Sequence, residues 1–262
     1  MRRGVEEGFT ARARRWIGSR VRWSVKVLFK PYDVYDEIFE EPDYLWILLL
    51  FVLTGLSAGL SYTLLQATKI AYYDSEANLR FTFVDVYGWL ITTLMNFFSN
   101  TINLGINFIL TAVVLYLSSW LLGGERNFSG TILCVGFSFT AYIISALFQT
   151  SLIPLVPDVT YRITSRVEVV MLLSSIQAMK RQIAIWNSLD RLNILADEVW
   201  RDSLIVQASN IVFYAFPVWA IIVSSIGVGK LAELDRGRIL VMQGITILVW
   251  MIFYVTLPRI LG

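Results

Sequence analysis

The chain has 262 residues, of which 56% are hydrophobic and only 16% are charged, and its net charge is +2. Soluble domains average about 45–50% apolar and about 25% charged residues, so this composition predicts a membrane protein. The sequence has no histidine, which excludes histidine metal ligands and histidine general bases, and its single cysteine, Cys134, excludes an internal disulfide.

The N-terminal arm mixes basic residues with aromatic and branched apolar ones in the segment FTARARRWIGSRVRWSVKVLFK. This mixture is typical of a helix at the interface of an anionic bilayer, where each Lys or Arg contributes about 1 kcal/mol. The alternative is a positively charged topology signal, and nucleic-acid binding is not expected of an arm tethered to a membrane span. The cations predicted to face lipid headgroups are Arg12, Arg14, Arg15, Arg20, Arg22 and Lys26.

A short acidic segment, PYDVYDEIFEEPD, follows the arm and is bounded by Pro31 and Pro42. Its acidic and apolar residues fall on opposite faces at helical spacing, which predicts an amphipathic helix. Anionic lipid repels such an acidic face. Three interpretations remain open: a solvated face, a helical hairpin in which the acids neutralise part of the basic arm, or a docking surface for a soluble partner. The predicted docking residues are Asp33, Asp36, Glu37 and Glu40, and their spacing is unlike that of calcium loops.

Five apolar stretches are long enough to cross a bilayer core of about 30 Å, which takes roughly 20 helical residues. Lipid offers no partner to an unpaired backbone amide, so all five should be helices. The predicted fold is therefore an all-α membrane protein, a bundle of about five transmembrane helices with amphipathic interfacial helices. The predicted spans are Leu45–Gln66, a segment inside Val84–Leu122, Ser129–Val156, Leu204–Val228 and Ile239–Ile260.

Lysine and arginine are concentrated in the arm and in the loops that follow the second and fourth spans. This distribution predicts a multi-pass protein of the cell membrane with its N-terminus cytoplasmic and its C-terminus outside. Residues 1–43 would form the cytoplasmic arm and juxtamembrane helix, and residues 44–262 the transmembrane domain.

Two segments do not fit a simple span. Val84–Leu122 is interpreted as an interfacial helix over about Val84–Phe98 that runs into a span from Thr101, either as one continuous helix or as two; four or six spans in all are the alternatives. Residues 157–203 carry apolar positions at spacings of three and four, from Val169 to Trp186, which predicts an amphipathic helix on the outer face. A dimer interface through that apolar face is the alternative.

The polar residues inside the spans are amides and hydroxyls. Amides in hydrocarbon bond to each other across helices, at about 0.6–2 kcal/mol per bond, so they are expected to join helices. A water-lined path is the alternative, although the span centres lack the ionisable residues that pumps and ion-coupled carriers use. The predicted polar set is Asn96, Asn100, Asn103, Asn107, Asn210 and Gln243. In the first span, the small residues Gly55 and Gly59 predict a close helix approach.

The sequence lacks the HExxH, P-loop and CxxC motifs, and a Ser-His-Asp triad is impossible without histidine, although Gly55–Gly59 in the first span matches GxSxG. Neither catalysis nor a cofactor is therefore expected. It resembles the Yip family (Ypt-interacting protein) of five-span membrane proteins, in particular its prokaryotic relatives. The resemblance rests on PYDVYDEIFEEPD before the first span, LLGGERNFSG between the second and third, FPVWAIIVSSIGVGKLAEL in the fourth and its exit, and a short final span.

The resemblance implies an integral membrane protein without catalysis. Eukaryotic members are linked to vesicle trafficking and bind small Rab/Ypt GTPases through a long acidic N-terminal region, which this chain replaces with a short basic arm. The predicted function is a non-catalytic membrane organiser that binds lipid and a cytoplasmic protein partner and could form homo-oligomers. The alternative is a channel or transporter, or a subunit of one, lined by the amides.

Overall fold

The computed structural model describes residues 2–74, 79–163 and 203–256. The predicted outer amphipathic helix and its possible dimer interface, from Val169 to Trp186, lie outside the described residues. The helices run in chain order as α1 Arg2–Phe29, α2 Pro31–Glu40, α3 Tyr44–Lys69, α4 Phe83–Tyr87, α5 Trp89–Leu121, α6 Phe128–Ser138, α7 Thr140–Leu152, α8 Leu204–Leu231 and α9 Arg236–Met251.

Within the described residues, five helical segments are long and apolar enough to cross a membrane. They are Tyr44–Lys69, Trp89–Leu121, Phe128–Leu155, Leu204–Leu231 and Arg236–Tyr254. The third joins α6, α7 and a 3₁₀ turn, and the fifth adds a π-helical turn to α9. The prediction of a helical, multi-pass membrane protein is confirmed.

The second apolar block forms two helices, the short α4 and the long span α5. α4 begins with a capping box in which Thr82 and Asp85 bond to each other's backbone amides, and it ends at Gly88, whose φ of 78° favours glycine. α5 then runs unbroken for 33 residues. The predicted interfacial segment therefore divides at Gly88, and residues 89–98 belong to the span. At 1.5 Å per residue, α5 is about 50 Å long, which exceeds the bilayer core.

A small sheet, which the sequence analysis did not predict, accompanies the helices. Its strands are β1 Ile70–Asp74, β2 Leu79–Thr82 and β3 Val159–Ile163, in the order β2-β1-β3. β1 pairs with β2 antiparallel and with β3 in parallel. The rings of Tyr72 and Phe81 stack at 5.3 Å across the antiparallel pair, so cross-strand aromatic packing supports it.

The chain divides into two compact units. The first comprises residues 1–54, 101–144 and 215–262 and contains a large apolar core whose fully buried members include Tyr35, Leu115, Phe137, Ile221 and Met242. An aromatic cluster joins three of its spans, with the Phe108 and Phe139 rings 5.4 Å apart and Phe51 against both.

The second unit comprises residues 55–100 and 145–214. Its helices α3 and α5 approach closely at Gly59, where an added Cβ would lie 2.9 Å from the backbone nitrogen of Phe97. This contact confirms the prediction of a close helix approach at the small residues of the first span. Lys69 forms an ion pair of 3.0 Å with Asp158, which ties the end of α3 to the segment before β3.

Candidate functional site

The acidic helix α2 folds back on the basic arm, and the two form a hairpin. Pro31 occupies the first turn of α2, where a missing amide proton costs nothing, and Lys30 is the residue between the helices. The indole nitrogen of Trp23 donates to a Glu37 carboxylate oxygen at 2.7 Å, and Lys26 lies 4.0 Å from the other oxygen. The hairpin interpretation is therefore confirmed for Glu37. Residues 11–43 are called the juxtamembrane hairpin below.

Asp43 fixes the hairpin to the first span. Its carboxylate accepts hydrogen bonds from Arg20 Nε and Trp16 Nε1, both at 2.8 Å, and from the backbone amide of Trp46 at 2.9 Å, which makes it the N-cap of α3. Arg20 also contacts Glu41 at 3.2 Å. Burial raises the pKa of Asp43, but the bonds from Arg20, Trp46 and Trp16 outweigh burial and hold that pKa below its ordinary value.

The apolar face of α2 is inserted among the spans. Tyr35 is fully buried, and its hydroxyl donates to the backbone carbonyl of Cys134 at 3.1 Å. Burial raises the pKa of Tyr35 well above its ordinary value, with the Cys134 thiol adding to the effect, so the hydroxyl remains a neutral donor. On the other side, a Cβ added to Gly227 would lie 2.6 Å from the Tyr35 ring. The missing side chain of Gly227 in α8 therefore makes room for α2.

Lys230 forms the last link between α2 and the spans. Its Nζ, near the end of α8, lies 2.5 Å from the Asp36 carboxylate and donates to the backbone carbonyl of Tyr32 at 2.5 Å. Asp36 and Glu37 are therefore occupied by contacts within the protein. Asp33 and Glu40 are exposed and form no ion pair with any residue in the described part of the chain.

The loops after the second and fourth spans meet within the same unit. The backbone amide of Glu125 donates to the carbonyl of Ala232 at 3.4 Å, and Arg238 Nη1 donates to the carbonyl of Leu122 at 3.0 Å. An added Cβ on Gly124 would lie 2.8 Å from the Ala232 side chain, so only glycine fits at this contact. The two basic loops therefore contact each other, and Lys230, just before the second loop, binds α2. The loops and the hairpin thus lie at the same end of the unit.

The cations of the arm divide into two groups. Arg20 is buried and forms ion pairs with Asp43 and Glu41. It therefore holds the hairpin together and does not face lipid headgroups. Lys26 is half-buried beside Glu37. The exposed cations of the predicted lipid surface are Arg12, Arg14, Arg15 and Arg22.

Some of the predicted polar residues join neighbouring helices. In the first unit, Asn107 Nδ2 donates to the Tyr142 hydroxyl at 2.7 Å, and Gln243 Nε2 donates to the Ile222 carbonyl at 3.4 Å. Asn103 is exposed on α5. Asn107 therefore links the second span to the third, and Gln243 links the fifth to the fourth.

In the second unit, Asn96 Nδ2 lies between two acceptors on the first span, Thr63 Oγ1 at 2.9 Å and Gln66 Oε1 at 3.0 Å. Asn100 donates to the carbonyl of Asn96 in its own helix at 2.7 Å, and Asn210 is exposed on α8. The amide set is therefore not a uniform lining. Within the described residues, no group of three or more His, Cys, Asp or Glu side chains could hold a metal ion.

Sequence reasoning missed Asp43, Tyr35 and Lys230 as residues that place the hairpin. A local signal existed for Asp43, because an aspartate three residues before Trp46 at the start of an apolar run is a typical N-cap. Lys230 had no such signal, since it lies 198 positions from Tyr32, the residue whose carbonyl it binds.

Comparison with protein families places the chain. The model of the Yip1 domain matches residues 25–257, a range that begins inside α1 and contains α2 and all five spans. A search of curated proteins and a search of solved structures each found no match. Because the family model covers most of the sequence, this multi-pass membrane protein belongs to the Yip1 domain family.

Proposed function

We propose that the protein is a non-catalytic organiser of the cell membrane that uses its juxtamembrane hairpin as a cytoplasmic docking platform for a soluble partner. The observation that carries the proposal is the attachment of α2. Tyr35, Asp36 and Glu37 bind groups on α6, α8 and α1, while Asp33 and Glu40 stay exposed on the same short helix. A helix held at so many points presents its free carboxylates at fixed positions, which lowers the ordering cost of binding.

The exposed charge defines the partner that suits this surface. Asp33 and Glu40 are exposed on α2, and Glu41, which follows Glu40, is exposed as well, so a soluble protein with a basic surface is complementary to this acidic surface. The excess of lysine and arginine in the arm and in the two short loops supports a cytoplasmic location for the platform. The exposed arginines of α1 support association of the arm with anionic lipid.

The experiment compares charge reversal on and off the platform. A photo-crosslinking amino acid at position 32, beside Asp33, captures neighbours in native membranes, and mass spectrometry identifies them. The double substitution Asp33→Lys with Glu40→Lys should abolish capture of a basic partner. Glu125→Lys is the matched control, because Glu125 is an exposed acid in the loop after the second span.

The proposal is supported if the captured protein also binds the purified chain in neutral-lipid nanodiscs and if added salt weakens that binding. The double variant should lose the binding, while Glu125→Lys should keep it. Equal capture by the wild type and the double variant would remove the docking role of the acids.

A further inference from the structure

The exposed side of α1 carries a continuous apolar stripe, separate from the face that packs in the hairpin. Successive residues of the stripe are four positions apart, so they lie one turn above another on the same side of the helix. About half or more of each side chain is exposed: Ile17 47%, Val21 46%, Val25 50% and Phe29 76%.

This stripe does not belong to the core. The side of α1 that packs against α2 and α6 carries Trp23, which is 7% exposed, and Val27, which is fully buried. A surface helix usually turns its apolar residues inward and leaves polar ones outside. α1 instead has a second apolar surface, and a contiguous exposed patch of this kind marks a contact with a membrane or a partner.

The residues around the stripe identify the contact as lipid. Arg14 and Arg22 are exposed, and each lies next to a stripe residue when the helix is viewed down its axis. Aliphatic and aromatic side chains flanked by arginine are the pattern of helices that lie in the plane of an anionic bilayer surface. A soluble protein partner with a basic surface, which suits the acids of α2, would be repelled by these arginines.

The packing of α1 places the stripe at the depth of the lipid interface. The Trp23 ring lies 6.3 Å from the ring of Phe137, and Trp46 Nε1 donates to the Ser24 hydroxyl at 2.8 Å. Phe137 lies about 14 Å along the span that begins at Phe128, at 1.5 Å per residue. The middle of α1 is therefore beside the first turns of the spans and not above them in water.

We infer that α1 is an interfacial helix whose Ile17, Val21, Val25 and Phe29 side chains are embedded between the headgroups and acyl chains of the protein's own membrane. Arg14 and Arg22 bind the anionic headgroups at its edge. The inference rests on the proposed association of the arm with lipid, and it adds which side chains enter the bilayer and at what depth.

Spin-label accessibility in nanodiscs that contain anionic lipid tests this inference. A nitroxide is attached to Val25→Cys, and collisions with oxygen, which concentrates in the bilayer, are compared with collisions with a water-soluble nickel chelate. Val52→Cys, from an exposed side chain of the first span, gives the lipid reference, and Asp33→Cys gives the water reference. Native Cys134 is fully buried, and a Cys134→Ala background confirms that the signal comes from the introduced site.

The label at Val25→Cys should give an oxygen-to-nickel ratio shifted away from that of Asp33→Cys toward that of Val52→Cys, and Val21→Cys should agree with it. A ratio equal to that of Asp33→Cys would overturn the inference. So would protection from both reagents, which would indicate that a second copy of the chain covers the stripe. Capture of a partner by the acids of α2 does not depend on either result, so the two proposals fail separately.

Discussion

Asp43 shows how one residue connects the N-terminal arm to the first span. Its carboxylate caps the first span and also binds Arg20 and Trp16 of the arm. The bonds that Asp43 accepts favour its charged form, so its pKa is lower in the folded protein than in the unfolded chain. This difference in pKa stabilises the folded state. The contribution is complete above the unfolded-state pKa of about 3.9, and it is lost as the pH falls through the lower pKa of the folded protein.

Asp43→Asn should lower the free energy of unfolding by about 3 kcal/mol at neutral pH, the lower end of the cost of removing one partner from a buried ion pair. The amide still caps α3, so the variant isolates the charge on Asp43 from the capping role. Glu41→Gln is the control. Because the Glu41 side chain is 70% exposed, its loss should cost about 0–1 kcal/mol.

Unfolding in detergent across pH measures both variants. The difference between wild type and Asp43→Asn should shrink below about pH 4 as Asp43 becomes protonated. A difference that stays constant down to pH 2 would mean that the charge of Asp43 contributes nothing.

Residue roles on α2 could be predicted only in part from sequence. The acidic face and its opposition to the apolar face follow from helical spacing, and both are present in the structure. The division of the acids into bound and exposed groups could not be predicted, because it depends on Lys230 and Trp23, which reach α2 from other helices. The burial of Arg20 among exposed arginines likewise depends on Asp43.

At the scale of elements, the substitution Lys230→Gln tests whether the ion pair between Lys230 and Asp36 attaches α2 to α8. Loss of the charge removes the ion pair with Asp36, so α2 should open more often and exchange its amide protons faster. Hydrogen exchange of residues 31–40, followed by mass spectrometry, measures this. Lys30→Gln is the control, since Lys30 is exposed beside α2. Equal exchange in both variants would show that Lys230 does not hold the helix.

The amides of the second span give another element-scale prediction. Asn107→Leu removes the bond to Tyr142 and should cost about 0.6 kcal/mol, and at most about 1.7, without creating or abolishing solute flux. Asn103→Leu is the exposed comparison and should change stability less. Unfolding in detergent and flux into liposomes measure the two effects. A solute flux that either substitution changes would favour the channel or transporter alternative.

The spans could be predicted from the sequence, whereas the strands and the break at Gly88 could not, for a physical reason. The spans are long apolar runs, and their signal is summed over about 20 residues, so their existence followed from composition alone. The strands have four or five residues each, and a run this short cannot be told from loop or helix by periodicity. The break at Gly88 depends on one glycine with positive φ, which sequence patterns register weakly.

At the scale of the whole molecule, the account depends on sidedness. The hairpin and the loops after the second and fourth spans are in contact within one unit, and they carry the excess of positive charge. A five-span chain whose N-terminus is cytoplasmic exposes these segments to the cytoplasm and the β1–β2 segment to the outside. The proposed docking of a cytoplasmic partner on α2 requires this orientation.

Labelling of single cysteines with a membrane-impermeant maleimide, in intact and in permeabilised cells, tests that orientation directly. The sites are exposed positions: Arg22→Cys in the hairpin, Glu125→Cys in the loop after the second span, and Arg80→Cys in β2. The account predicts that Arg80→Cys is labelled in intact cells, while Arg22→Cys and Glu125→Cys are labelled only after permeabilisation. Labelling of Arg22→Cys in intact cells would contradict it, because the docking platform would then face away from the cytoplasm.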